Sequence, residues 1–333
     1  MHSPSNGREI ALRSLKSPAV IPPRLIGPED VLAAFLAGRN AHTHRAYDAD
    51  LRDFSRFVAI EEPRLAVASF LSSDRGDAHA IALAWRVHLE ARGLAPATIA
   101  RKLAALRAVV KLAGQLGQVD WELTLASPRA EGYRDTRGPG DDGYRKVREL
   151  AKAEAETGDP KRVRDYSALR LLHDLGLRRG ELVGVDLADV ETGADGVPQR
   201  VWIKGKKRVH KEALTLPPAT GRALGDWIAA RGDFEGPLFV RLDRGAGPAP
   251  SRLTGRAVAL IANQLGERAG LPRRLAPHGL RHQAITSALD KTGGDVRKVQ
   301  RFSRHADLKT LVVYDDRRRD GAGDVSRLLA DDE

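Results

Sequence analysis

Apolar residues recur along this chain at helical spacing, in blocks set apart by glycine and proline. Tyr47, Leu51, Phe54 and Val58 follow one another at i, i+4, i+7 and i+11, which predicts an amphipathic helix beginning near Thr43. Ile81, Trp85 and Leu89 predict a second helix, ended at Gly93, and Ile99, Leu103, Leu106 and Val110 a third that opens after Pro96. Ahead of these, residues 1–25 are polar, basic and rich in Pro and Ser, so a disordered basic arm is expected there. The first ordered domain is then a helical one over residues 26–136.

Arg137-Gly138-Pro139-Gly140-Asp141-Asp142-Gly143 interrupts the pattern, and residues 137–143 are expected to be a flexible linker to a second domain over residues 144–333. There, Leu175-Gly176-Leu177-Arg178-Arg179-Gly180-Glu181-Leu182 closes one helix and opens another. Gly176 suits the left-handed residue that ends the first, which leaves Arg178 at the turn between them. Val201-Trp202-Ile203 and Ala213-Leu214-Thr215-Leu216 read as the strands of a hairpin tipped by Lys204-Gly205-Lys206-Lys207. A Gly/Pro-rich loop is expected near Asp243 to Ser251. Val258, Ile261 and Leu265 then mark one helix; Ala284, Ile285, Ala288 and Leu289 mark another, ended at Gly293; Val296, Val299 and Phe302 line a third behind Asp295. With no internal repeat and no βαβ alternation, the fold class is mainly α with a small antiparallel β-sheet.

The candidate chemistry gathers near the C-terminus. Pro277-His278-Gly279-Leu280-Arg281-His282, followed by His305 and Tyr314, supplies imidazoles, a guanidinium and a phenol to a phosphoryl-transfer site that needs no metal. Taken singly, an Arg or His near a helix end is a cap or a surface partner, and Tyr314 after Leu311-Val312-Val313 is a core aromatic. Type, order and spacing together carry more than any one of them.

An Arg in G-L-R-x-x-E-L, a hairpin Lys, H-x-L-R-H, a later His and a Tyr nine positions on resemble the tyrosine recombinase (phage integrase) family over nearly the whole chain. The resemblance implies an N-terminal helical core-binding (SAM-like) domain and a C-terminal tyrosine-recombinase catalytic domain. It implies Arg178, Lys206, His278, Arg281 and His305 as catalytic residues around the nucleophile Tyr314, with Glu181 supporting. Lys204 and Lys207 remain alternatives to Lys206. Ser303-Arg304 stands where the family carries a small Leu-Gly pair, so the packing there is expected to differ. Thr43, Arg45, Arg101 and Lys102 are candidate DNA contacts of the first domain, against the alternative of a solvated helix surface. Attack would leave a 3′-phosphotyrosine bond, with no cofactor and no metal. The expected partner is double-stranded DNA, with a homotetramer assembling on it from monomers, and the tail Asp324-Val325-Ser326-Arg327-Leu328-Leu329-Ala330 is suited to docking on a neighbour or on its own subunit.

Composition agrees. Among 333 residues, 55 Lys+Arg against 44 Asp+Glu give a net charge of +11, which suits a polyanionic partner. The absence of cysteine excludes disulfides, Cys-ligated zinc and Cys nucleophiles. No apolar run approaches membrane-spanning length and no signal-peptide core is present, so a soluble cytoplasmic, nucleoid-associated protein is expected. Two other functions use similar parts: a type IB topoisomerase, which relaxes supercoils, and a non-catalytic DNA-binding module.

Overall fold

Among the described residues, five helices make the core of the N-terminal part: α1 (Pro28–Ala37), α2 (Ala41–Phe57), α3 (Pro63–Ser72), α4 (Arg75–Ala91) and α5 (Pro96–Gln115). The computed structural model describes residues 27–37, 41–128, 138–205, 208–242 and 251–305 and the single positions 311, 326 and 330. The expected arm at 1–25 lies outside these residues. So do most of the Asp243 to Ser251 loop and nearly all of the C-terminal tail. The chain divides into two compact units, between Tyr133 and Arg134.

In the first unit the predicted stripes face inward. Leu51, Phe54, Trp85, Leu89, Leu103 and Leu106 are fully buried in one core. Phe54 meets Phe70 and Trp85 edge-on, with ring centroids 5.3 and 5.0 Å apart. Such pairs add about 0.5–1.5 kcal/mol each beyond the area they bury. Asp74 caps α4 by accepting from the Asp77 N–H at 2.8 Å, and Pro96 opens α5 at a position where its missing N–H costs nothing.

The second unit contains α6 (Gly140–Ala155), α7 (Pro160–Asp174), the short α8 (Arg179–Val183), a sheet of β1 (Val190–Thr192), β2 (Pro198–Ile203) and β3 (Glu212–Thr215), then α9 (Pro218–Arg231), α10 (Gly255–Arg268), α11 (Pro277–Lys291) and α12 (Val296–Ser303). The sheet is antiparallel in the order β1-β2-β3, and the predicted hairpin pairs Val201 with Leu214 and Trp202 with Ala213. α7 is buried on almost every side, from Val163 through Leu172, and forms the axis on which α6, α9 and α11 pack. Its core neighbours include Leu177, Leu182, Val201, Trp227, Phe239, Val258 and Leu280. A smaller cluster of Ile285, Leu289, Val299 and Leu311 joins α11 to α12. Among the described residues no helix is long and apolar enough to cross a membrane.

The flexible linker expected at 137–143 is corrected over residues 138–143: α6 is already helical from Gly140, and Gly138 ahead of it lies against α11. The Gly140 N–H donates to Gln283 Oε1 at 3.0 Å, and Asp141 accepts from Gln283 Nε2 at 2.8 Å and from Ser287 Oγ at 2.6 Å. A Cβ on Gly138 would stand 2.5 Å from Gln283 Cβ and 2.6 Å from the Gly279 carbonyl oxygen. Glycine is needed here for close approach, not for looseness. The contacts grip the helix that carries His278 and Arg281.

Candidate active site

Three helix ends meet at one carbonyl group. α7 stops at Leu175, and Gly176 takes the left-handed conformation (φ +54°) that the sequence predicted for a helix terminator. Leu177 is buried, and Arg178 becomes the N-cap residue of α8 with an extended backbone. The Arg178 N–H donates to Glu181 Oε2 at 2.9 Å, and its guanidinium donates through Nη1 to Glu181 Oε1 at 2.6 Å. Glu181 is thus fixed three residues into the helix it helps to start. Arg178 keeps 30% of its side chain exposed, whereas the Glu181 side chain keeps 3%.

α11 opens with Pro277 in its first turn, and the three-residue spacing sets His278 and Arg281 on one face. Arg281 is buried. Its guanidinium donates to the backbone carbonyls of Gly176 and Ser303 by short hydrogen bonds, and Nη2 also donates to His305 Nε2 at 3.4 Å. A guanidinium can only donate, so this contact requires His305 Nε2 to be unprotonated. Burial, followed by the cations of Arg281, Arg178 and Arg304, pushes the His305 imidazole down to about 4. His278 is held below the ordinary imidazole range by the surrounding protein and then by Arg281 and Arg178. Both imidazoles therefore feel the same two arginines, and both are neutral at pH 7.

Burial alone would raise the Glu181 carboxyl. The Arg178 N–H, the Arg304 charge and the Arg178 guanidinium outweigh it and hold the group below the usual carboxylate range. Arg304 is the residue that sequence reasoning passed over as a packing departure. It ends α12 in the left-handed region (φ 57°, ψ 35°), and its side chain is only 5% exposed. No pattern in the sequence signals a non-glycine residue in that conformation. Phe302, two residues earlier, occupies the space above Gly176, where a Cβ would lie 3.2 Å from its ring.

Arg178, Glu181, His278, Arg281 and His305 are accordingly gathered into one neighbourhood. Lys206 and Tyr314 lie outside the described residues, as does Lys207; Lys204 is described, exposed just past the end of β2. In the first unit, Arg45 is exposed and Thr43 half-buried on α2. Arg101, with 47% of its side chain exposed, pairs with Asp50. Lys102 corrects the expectation of a DNA contact. Its ammonium is buried between Asp50 at 3.3 Å and Asp53 at 2.9 Å, and Asp53 also accepts from Arg92 at 2.9 Å. A cation committed to two buried carboxylates holds the domain together and does not face a phosphate.

Comparison with known proteins matches both units in chain order. The model of the N-terminal SAM-like domain of phage integrases fits residues 34–115, and that of the phage integrase family fits residues 145–319. A tyrosine recombinase of Synechococcus elongatus is 39% identical over 321 residues, covering 94% of this chain and 97% of its own. One of Synechocystis sp. is 36% identical, covering 88% and 92%, and the tyrosine recombinase XerC of Mycobacterium leprae is 32% identical, covering 84% and 90%. Among solved structures, a XerH site-specific recombinase bound to its palindromic difH substrate aligns with a TM-score of 0.64 at 21% identity, covering 86% of this chain and 80% of that one. A lambda integrase dimer on a COC′ core site aligns at 0.62 and 16% identity, covering 88% and 75%. These two share the fold. With both family models in place and near full-length identity to named recombinases, the chain belongs to the phage integrase family, the tyrosine recombinases.

Proposed function

We propose that this chain is a site-specific tyrosine recombinase that cuts and rejoins DNA strands through a 3′-phosphotyrosine intermediate. The observation that carries the reading is the convergence of Arg178, Arg281, His278 and His305 on the α7–α8 turn, with Arg281 tying that turn to the end of α12. Arg178 and Arg281 bind the non-bridging oxygens of the scissile phosphate and offset the charge that grows on them in the transition state. His305 adds a hydrogen bond to the same oxygens. Tyr314 attacks phosphorus while His278, neutral and able to accept, takes the phenolic proton; the new bond is P–O(Tyr) and the bond broken is P–O5′. A hairpin lysine, Lys206 with Lys204 and Lys207 as alternatives, protonates the departing 5′ oxygen. A 5′-hydroxyl from a partner duplex reverses the step, and the phosphotyrosine bond conserves the energy for resealing.

Residues 144–333 form the catalytic domain in this reading, and residues 26–136 grip the duplex through Thr43, Arg45 and Arg101. Monomers assemble as a homotetramer on DNA, which places the protein at the nucleoid. Similar structures, XerH on difH and lambda integrase on a core site, are DNA complexes, and this supports double-stranded DNA as the partner. The test is a covalent-trapping assay on a nicked suicide duplex whose sequence is selected from a randomised pool by binding to the wild-type protein. Wild type should form a protein–DNA adduct and Tyr314→Phe should form none. An adduct with Tyr314→Phe removes the nucleophile assignment, and relaxation of supercoils without exchange between two sites replaces recombination by topoisomerase action.

A further inference from the structure

Arg304 donates to four oxygens on three parts of the site. Nη1 reaches the carbonyls of Leu175 at 3.1 Å and Phe302 at 2.8 Å, and Nη2 reaches the Gly176 carbonyl at 3.1 Å and Glu181 Oε2 at 3.1 Å. Its Nε stands 3.6 Å from Glu212 Oε1 on β3, the returning strand of the lysine hairpin. The backbone beneath it is in a region that non-glycine residues seldom occupy, and it persists there only because these contacts over-determine it.

Glu181 is shared by two arginines of opposite character. Arg178 is 30% exposed and holds the carboxylate by one side-chain hydrogen bond; Arg304 is 5% exposed and is pinned by main-chain oxygens on both sides. We infer that Arg304 is a positioning residue: it is the resident counter-charge of Glu181 that lets the Arg178 guanidinium leave that carboxylate for the scissile phosphate. The inference rests on the cleavage reading above. Without Arg304, a buried carboxylate would have only Arg178 to compensate it, and desolvated charges do not part readily. Arg178 would then stay on Glu181 while the phosphate waited. Arg304 itself cannot answer the phosphate, because each of its terminal nitrogens donates twice within the site and so has no N–H left, whereas among the described residues Arg281 Nη1 donates once, to Gly176.

The test is a double-mutant cycle in the same trapping assay, under single-turnover conditions. Arg304→Gly removes the guanidinium and relieves the left-handed backbone; cleavage should fall about tenfold or more, the scale of one lost charge-assisted contact, with DNA affinity unchanged. Adding Glu181→Gln should make the double variant faster than Arg304→Gly alone, since a neutral amide no longer captures Arg178. A role in packing alone predicts the reverse, a double variant slower than either single one. Should the glycine variant not fold, Arg304→Lys and Arg304→Gln decide: the charge-keeping lysine should cleave well above the neutral glutamine. Wild-type cleavage by Arg304→Gly, a double variant slower than Arg304→Gly, or equal rates for lysine and glutamine overturn the inference. Failure of the wild-type protein to form any adduct instead defeats the recombinase reading and takes this inference with it.

Discussion

The Phe302 ring stands where a side chain on Gly176 would go: a methyl group there would lie 3.2 Å from two carbons of the ring. The same glycine offers its carbonyl to Arg281 and Arg304 and holds φ at +54°. Gly176→Ala therefore meets two penalties at once, and stability should drop by about 1–3 kcal/mol. Urea unfolding measures it. An unchanged midpoint would mean that the turn relaxes without loss.

Arg281→Lys keeps the charge but cannot span the carbonyls of Gly176 and Ser303, which lie on different elements. The expected result is cleavage slowed by about 100-fold or more with DNA binding retained, since a point charge does not replace a planar fork. Single-turnover cleavage beside an electrophoretic binding assay separates the two. Cleavage within a few-fold of wild type would show that charge alone is enough.

Acid should act through the two imidazoles. His305 has its folded value pushed down to about 4 by burial and by the cations around it, below an unfolded value of about 6.5. The unfolded chain thus binds this proton more readily, so stability should be constant above about pH 6.5 and fall as pH drops toward 4, by on the order of 2 kcal/mol once solvent screening is allowed for. His305→Gln should flatten that part of a stability–pH curve. His278, also lowered, should remain a competent base somewhat below pH 6.5, so the acid limb of cleavage should lie under that value. A limb centred at 7 or above would remove His278 as the proton acceptor.

Lys102 and Arg45 should separate structure from binding. Lys102→Ala leaves Asp50 to Arg101 and Asp53 to Arg92, two partly exposed partners, and should cost about 1–3 kcal/mol. Arg45→Ala should weaken DNA binding evenly across sequences and lower the salt-dependence slope by about one. The reverse pattern would exchange the two assignments.

Much of this was legible in the sequence wherever apolar spacing was strong. α2, α4, α5, α10, α11 and α12 lie where their stripes predicted, and the turn at Gly176 and the β2–β3 hairpin follow from local residue chemistry. α1 and α3 were not singled out, being ten residues each with apolar residues spread around the helix. The segment at 137–143 reads as a linker because glycine marks both loose chain and tight contact, and over 138–143 the difference lies in Gln283, far along the sequence. Lys102 was misread for a related reason: a charge on a helix looks alike whether it faces water or, as here, an aspartate 52 positions away. The convergence of Arg178 with His278, Arg281 and His305 followed from the family resemblance, not from spacing.

Besides their bonds to Glu181 and His305, Arg304 and Arg281 grip main-chain oxygens of Leu175, Gly176, Phe302 and Ser303. Drift at Leu175 or Ser303 would therefore spare the anchors so long as the backbone path is kept. A one-residue insertion at either helix end, harmless to hydropathy and charge, would carry those oxygens out of reach and disassemble the centre while every reactive side chain was still present.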